Sequence, residues 1–259
     1  MNIMLIGDIV GRPGRRIVKE LLPGLIDEHQ LDLVIANGEN AAGGSGITGE
    51  LAEELFSSGI DVITTGNHVW DKKEIIPYLE TEEKIIRPAN YPPGTPGQGS
   101  LVITVNRNSR IGIINLSGRV FLNALDCPFR KADTLIEQIK QQTPVIIVDF
   151  HAEATSEKQA FGWYLDGRVS AVVGTHTHIQ TADERILPGE TAYITDVGMT
   201  GPRDSVLGVK TEMVIQRFIT QLPNRFEVAG GVNQLNAVVV GVNAANGRAH
   251  FIKRIQRYL

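Results

Sequence analysis

Apolar runs of strand length recur along this chain, and most of them stop at glycine or a polar cluster. Ile3–Ile6 stops at Gly7-Asp8, Leu33–Ala36 at Asn37-Gly38-Glu39-Asn40, and Val62–Thr65 at Gly66-Asn67-His68. Val145–Val148 stops at Asp149-Phe150-His151 and Val169–Val173 at Gly174-Thr175-His176. The runs are near-continuous rather than alternating, the signature of strands covered on both faces. Helical spacing lies between several of them. Arg15–Glu28 repeats Ile17, Leu21 and Leu25, with Pro23 expected to kink or break it. Thr48–Phe56 reads as a helix with Thr48 as N-cap, Asp71 is placed to cap a short helix over 72–79, and Ala132–Gln142 and Thr211–Leu222 are further helices. Strand followed by helix, repeated, predicts an α/β fold with helices packed on sheet.

Two segments break the rhythm. Leu101–Val105, a turn at 106–110 and Ile111–Asn115 read as a hairpin, as do Ala237–Val242 and Arg248–Ile255 around Asn246-Gly247. They predict a mixed sheet or two sheets. The Pro/Gly-rich stretch Pro88–Gly99 is too short to mark a domain boundary, no repeat or heptad is present, and a single domain over 1–259 is expected.

Composition removes several classes. With 42% hydrophobic and 21% charged residues the chain is ordinary for a globular protein. No apolar run approaches the ~20 residues of a membrane span. The N-terminus lacks a basic leader and a small-residue cleavage site, so no signal peptide is expected. A lone cysteine, Cys127, fits a reducing cytoplasm. A net charge of −4 argues against stable nucleic-acid binding.

The chemistry sits where the strands end, the place where open α/β sheets bind ligands. Five strand ends carry Asp8, Glu39-Asn40, Asn67-His68, His151 and His176-Thr177-His178, and only His29 and His250 of the six histidines lie elsewhere. Taken singly, Asp8 reads as a helix or turn cap, Glu39-Asn40 and Asn67 as turn residues, and His151 as a satisfied loop histidine. His176-x-His178 is stronger, because in an extended loop residues two apart point the same way. Jointly, carboxylates, amide oxygens and imidazoles form an O/N shell suited to a divalent transition metal. The candidates outnumber the ligands of one ion, and two ions sharing a carboxylate would use them all.

These strand ends resemble the calcineurin-like metallophosphoesterases, whose pattern runs Asp-x-His, Gly-Asp, Gly-Asn-His, a distant His and Gly-His-x-His. The departures are Val10 at the place of the first histidine, Glu39 for the bridging aspartate, Thr175 between Gly174 and His176, and Asp71 as the nearest acid after His68. Those departures resemble one subfamily, the bacterial YmdB-like phosphodiesterases. Its signatures are similar to Gly7–Gly14, Asn37–Gly44, Thr65–Asp71, Asp149–Lys158 and Thr195–Gly201, and the likeness spans essentially the whole chain.

The resemblance implies a layered sandwich with central mixed sheets flanked by helices, and a cytoplasmic phosphodiesterase acting on cyclic nucleotides, 2′,3′-cyclic ones in particular. It implies two divalent ions: Asp8, Glu39, Asn40 and His178 on one, Glu39, Asn67, His151 and His176 on the other. The oxygen-rich first set leans toward iron or manganese. A metal-bridging hydroxide would attack phosphorus in line, with His68 protonating the leaving oxygen; a further ligand or a turn histidine are the alternatives for His68. Asp71 either orients His68 or caps the next helix. A phosphomonoesterase with the same site, or a metal- or nucleotide-binding regulatory protein with little turnover, are the other readings, and homo-oligomerisation is left open. A nicotinamide oxidoreductase is disfavoured, since Gly7, Gly11 and Gly14 do not form G-x-G-x-x-G. Arg12 and Arg15 read as solvated surface, Gly43-Gly44-x-Gly46 as a pocket wall, Gly198–Pro202 as substrate-side lining, Cys127 as a packed or loop thiol, and Trp70 and Trp163 as core.

Overall fold

The computed structural model describes residues 1–105 and 109–259. In chain order the elements are β1 (Asn2–Ile6), β2 (Asp8–Ile9), α1 (Gly11–His29), β3 (Leu33–Asn37), α2 (Gly49–Ser57), β4 (Val62–Thr64), α3 (Ile75–Leu79), β5 (Ile85–Ile86), β6 (Ser100–Val105) and β7 (Ser109–Ser117). They continue with α4 (Pro128–Lys140), β8 (Ile146–His151), α5 (Thr155–Leu165), β9 (Ala171–Thr175), β10 (Arg185–Ile186), β11 (Ala192–Ile194), β12 (Met199–Pro202), α6 (Thr211–Thr220), β13 (Asn233–Val242) and β14 (Ala249–Tyr258).

Two mixed sheets result. One has eight strands in the order β2-β12-β13-β1-β3-β4-β5, with β14 added beside β13; the other has six, β10-β11-β9-β8-β7-β6. Strands β1, β3, β4 and β5 are mutually parallel, as are β7, β8, β9 and β11. The parallel blocks explain the continuous apolar runs. In β1, Ile3 and Leu5 point to a cluster shared with Ile113, Ile147 and Val173 of the other sheet, so the two sheets pack face to face. Met4 and Ile6 point the other way, onto Ile17, Val18 and Leu22 of α1. On the far side, Ile146, Val148 and Phe150 of β8 pack under Ile136 of α4 and Phe161 of α5. Helix, sheet, sheet and helix therefore form the layered sandwich expected from the resemblance.

Both hairpins are present, β6 with β7 and β13 with β14, although Asn106, Arg107 and Asn108 of the first expected turn lie outside the described residues. Thr48 caps α2, accepting from Leu51 N. Helix α1 starts earlier than its periodicity suggests and Pro23 does not break it. Pro23 sits on the exposed side, where the Lys19 carbonyl it leaves without a helix partner is open to solvent, while Leu22 and Leu25 stay buried on the sheet. Helix α3 begins only at Ile75 and Asp71 does not cap it. Trp70 packs at the edge of the core, edge-on to Tyr91. Trp163 does not: it is 51% exposed on the outer face of α5, with the Arg185 guanidinium over its ring. Among the described residues no helix is long and apolar enough to cross a membrane.

The site edge depends on one close backbone approach. Gly7, between β1 and β2, donates to Asn236 O, and Asp8 N donates to Gly198 O just before β12. A Cβ at Gly7 would lie 1.8 Å from Gly198 O, so no side chain fits. Gly7→Ala is expected to cost about 3 kcal/mol, at the upper end of overpacking penalties. Urea unfolding compared with the parent chain measures this, and an unchanged midpoint would refute the contact's importance.

Candidate metal and catalytic site

Because the strands are parallel within each block, their carboxyl ends meet at one edge, and the polar residues that follow them converge there. Asp8 and Glu39 are fully buried, as is His151. His151 is not a loop residue: β8 runs on through it, and its backbone pairs with Ser117 and Thr175 on either side. Glu39 Oε1 lies 3.0 Å from His151 Nε2, and Asn67 Oδ1 lies 2.9 Å from the same nitrogen. His176 Nδ1 is 3.1 Å from it. One ligand atom each from Glu39, His151 and His176 fall within 4.8 Å of one another. Beside this group, His178 Nε2 stands 3.9 Å from Asp8 Oδ1 and 3.2 Å from Asn40 Nδ2. Glu39 joins the two groups, its Oε1 also 3.5 Å from Asn40 Nδ2. All seven expected ligand residues are thus brought together. Asn40 turns its amide nitrogen toward His178, leaving the oxygen on the other side.

His176 and His178 are not in an extended loop. Their φ angles are 100° and 67°, in the left-handed region, and their rings go to different groups rather than side by side. The reason lies beneath the loop. Asp196 Oδ2 accepts from Thr177 N at 3.0 Å and Thr177 Oγ1 at 2.8 Å, and receives the buried Lys158 ammonium at 2.5 Å. Lys158 also donates to Thr175 O at 2.7 Å. A buried ion pair therefore staples the middle of the His-x-His segment to α5.

The far ring nitrogen of each histidine faces an acceptor. His178 Nδ1 donates to Leu207 O at 3.1 Å. His176 Nε2 is 3.0 Å from Glu153 Oε2. His151 Nδ1 is 2.9 Å from Thr175 Oγ1, whose own proton goes to Asp149 Oδ1 at 2.7 Å. His176 and His178 are thereby held in the tautomer that turns a lone pair inward, while His151 keeps its outer nitrogen bound and its inner one against Glu39.

The electrostatics follow from burial. Burial raises the pKa of the Asp8 carboxyl, against the nearby histidines. Burial pushes Glu39 the same way, but His151 and the His68 N–H outweigh it and hold Glu39 at about 2. Burial opposes charge on His151, yet Glu39, Asp8 and Asp149 lift it to about 9. Burial and His151 together depress His176 to about 3. Asp149, buried, is raised to about 6 despite hydrogen bonds from Thr64 and Thr175. A proton on His151 is what balances the carboxylates, and Asp8 Oδ1 has no hydrogen-bond partner although it is out of reach of solvent. Inward lone pairs, an orphaned carboxylate oxygen and a demand for positive charge are the properties of a cation site, and the O/N donor set fits a divalent transition ion.

His68 lies on the open side. Its N–H donates to Glu39 Oε2 at 3.1 Å, and its ring Nδ1 is 2.8 Å from Asp71 Oδ2. Asp71 thus faces His68, and the cap position of α3 falls to Glu74 instead. Ser45, at the turn that Gly43, Gly44 and Gly46 make with positive φ, contacts both Asp71 and His68 Nδ1. Arg15 is not solvated surface: it pairs with Glu54 at 2.9 Å and donates to Ala41 O at 2.6 Å. Cys127 is half-buried just before α4. Met199-Thr200 pairs with Asp8-Ile9, so this segment supports the Asp8 backbone.

Lys158, Glu153, Asp196, Asp149, Thr175 and Ser45 have no role that the sequence alone assigns. All but Ser45 fall within or beside the matched Asp149–Lys158, His176–His178 and Thr195–Gly201 segments, and the available signal is a lysine and surplus acids there with no ligand to account for them.

The family model described as YmdB-like protein matches residues 4–255. The chain is 54% identical over 255 residues to a Bacillus subtilis (strain 168) protein named 2′,3′-cyclic-nucleotide 2′-phosphodiesterase, covering 98% of this chain and 96% of that one. A crystal structure of a hypothetical protein from Thermus thermophilus superposes with a TM-score of 0.94 at 43% identity, covering 100% of this chain and 99% of that one. A crystal structure described as a novel phosphatase from Mycoplasma pneumoniae gives 0.94 at 38%, covering 100% and 93%.

The buried pair makes a sharp test. Lys158→Met should destabilise the protein by about 3–5 kcal/mol, because it leaves Asp196 charged and unpaired in the interior. Lys158→Met with Asp196→Asn should lose less, since the stranded charge is gone. Equilibrium urea unfolding of the two variants decides it, and equal losses would show that the charge is not the issue.

Proposed function

The chain belongs to the YmdB-like protein family, and on that premise we propose that it is a metal-dependent phosphodiesterase that opens 2′,3′-cyclic nucleotides. Phosphodiester hydrolysis is supported by the name of the Bacillus subtilis relative at 54% identity. The observation that carries the metal reading is the set of three histidines, each with one nitrogen facing an acceptor and the other turned into the cluster around Glu39 and Asp8.

Asp8, Glu39, Asn40 and His178 would hold one divalent ion, and Glu39, Asn67, His151 and His176 the other, with Glu39 shared. Asn40 would have to turn its amide over to offer oxygen. Iron or manganese suits this oxygen-rich set. Two such ions, when bound, lower the pKa of water and offset charge on phosphoryl oxygens. The chain's own work is to align and to move a proton. Asp71 and Ser45 fix His68 Nδ1, so that Nε2 is the atom left for substrate. As the oxygen of water joins phosphorus and the P–O2′ bond breaks, His68 gives its proton to the departing ribose oxygen, and a 3′-phosphate remains. The water's own proton restores His68.

Elemental analysis of gently purified protein, run beside a panel of diesters and matched monoesters, tests this reading. About two divalent transition ions per chain are expected. Glu39→Gln should lower occupancy of both, whereas His178→Ala should mainly remove one. A chain that binds no metal, or a higher kcat/KM for monoesters across the panel, would overturn the proposal in favour of a binding protein or a phosphomonoesterase respectively.

The proton-donor role has its own signature. His68→Ala should retain both ions and lose about 10²–10⁴-fold in kcat on a ribose leaving group. The loss should shrink with bis-p-nitrophenyl phosphate, whose leaving group departs without a proton. Equal losses on both substrates would make His68 a positioning residue, and loss of an ion would make it a ligand.

A further inference from the structure

The loop that follows β7 carries an aromatic ring where no packing requires one. Phe121 is 87% exposed and has a φ of 62°, a conformation uncommon for a bulky residue. The loop is not slack. Its first residue, Gly118, donates to His151 O at 2.9 Å, so the loop starts against the backbone of a site histidine. A Cβ at Gly118 would come within 2.6 Å of both Glu157 Oε2 and Ala152 Cβ, which is why glycine stands there. The nearly buried Glu157 carboxylate accepts from Arg119 N at 3.0 Å and Val120 N at 3.2 Å. Asn90, fully buried, clamps both ends: its amide donates to Ser117 O at 2.8 Å and Asp126 O at 3.0 Å, and its Oδ1 accepts from Ser117 N at 2.9 Å. Leu122 N closes the turn onto Arg119 O.

A rigid loop with a left-handed residue at its tip thus presents an apolar ring to solvent. Backbone strain of this kind is maintained where the surroundings over-determine it, and it clusters at ligand-binding positions. The loop also leaves β7 at the edge where the site residues meet. Phe121 is three chain steps from Gly118, which touches the His151 backbone, so its Cα lies within roughly 11 Å of that contact. A nucleotide bound at this edge spans a comparable length from its phosphorus to its base. A cyclic phosphate in the site would occupy the polar end, and the remaining apolar part of a nucleotide is the flat face of its base.

We propose that Phe121 is the platform on which the base of a nucleotide substrate stacks, held at the rim by the loop that Glu157 and Asn90 pin. This rests on the phosphodiesterase reading for the location of the phosphate. Stacking uses the π-face common to all bases, so the platform favours larger purines over pyrimidines without strict selectivity.

The test compares 2′,3′-cyclic AMP with glycerol 1,2-cyclic phosphate, which has the same five-membered ring and no base. In the metal-loaded protein Phe121→Ala should raise KM for the nucleotide about 10-fold. The base-free diester should be unaffected, and Phe121→Trp should preserve nucleotide KM. Equal changes on both substrates, or none on either, would overturn the platform. A second measurement is independent of turnover. Fluorescence of the Phe121→Trp variant, corrected for the parent's Trp70 and Trp163, should be quenched by 3′-AMP and not by ribose 5-phosphate. If the parent hydrolyses neither diester, the phosphodiesterase reading fails, and this quenching alone decides whether the ring binds a base. Its absence overturns the platform.

Discussion

Two carboxylates without solvent are the constraint around which this molecule is arranged. Asp8 and Glu39 sit fully buried at neighbouring strand ends. An uncompensated charge in such a place is strongly unfavourable, so positive charge must be supplied on the spot. In the chain alone His151 supplies it, lifted to about 9 by Glu39, Asp8 and Asp149 after burial has pulled the other way. The compensation is incomplete, because Asp8 Oδ1 still lacks a hydrogen bond. Nothing in the packing calls for these acids. They make sense as half of an interaction whose other half is a cation, and the surrounding hydrogen bonds, from Thr175 to Leu207, hold the outer ring nitrogens so that the inner ones face the cluster.

The fold makes that arrangement possible by geometry. Parallel strands from two stacked sheets end at the same edge, so residues from five separated segments meet without any long loop. Small residues permit the approach. Gly7 lies against Gly198 O, and a Cβ on Gly66 would fall 2.3 Å from His151 Nε2 and 2.4 Å from Glu39 Oε2. The glycines before Asp8 and Asn67 therefore keep the space beside the candidate ligands free.

The strand ends are legible in the sequence because parallel burial writes them as unbroken apolar runs, and the residue after each run is forced to the sheet edge. That places Asp8, Glu39, Asn40, Asn67, His176 and His178 with no knowledge of distant contacts. What stays hidden depends on long-range pairing. Nothing local to Lys158 says that its ammonium reaches Asp196, and nothing local to Asp71 says that it turns to His68 instead of capping a helix. Trp163 and Arg15 depart from expectation for the same reason. A tryptophan on a helix whose apolar residues show no clear face, and an arginine near a helix start, have no local signal for which neighbour they meet. Helix α5 escapes a periodicity reading because the segment Thr155–Leu165 lacks a clear apolar stripe: it buries Glu157 and Lys158 alongside Phe161 and Leu165.

Those buried charges on α5 explain how the site tolerates its own strain. His176, His178 and Leu207 all take left-handed φ, each a conformation costing of order 1–3 kcal/mol for a residue with a side chain. Three such residues in contact would relax if the loop were free. It is not free, since Thr177 is tied to Asp196 between the two histidines, and Asp196 is tied to Lys158. Leu207 in turn accepts from His178, so one strained backbone orients the ring of another. The geometry of the candidate ligands is thus set by an ion pair that touches none of their side chains. Lys158 binds the Thr175 carbonyl, and the Thr175 hydroxyl meets His151, so the same lysine lies behind the positions of all three inward-facing histidines.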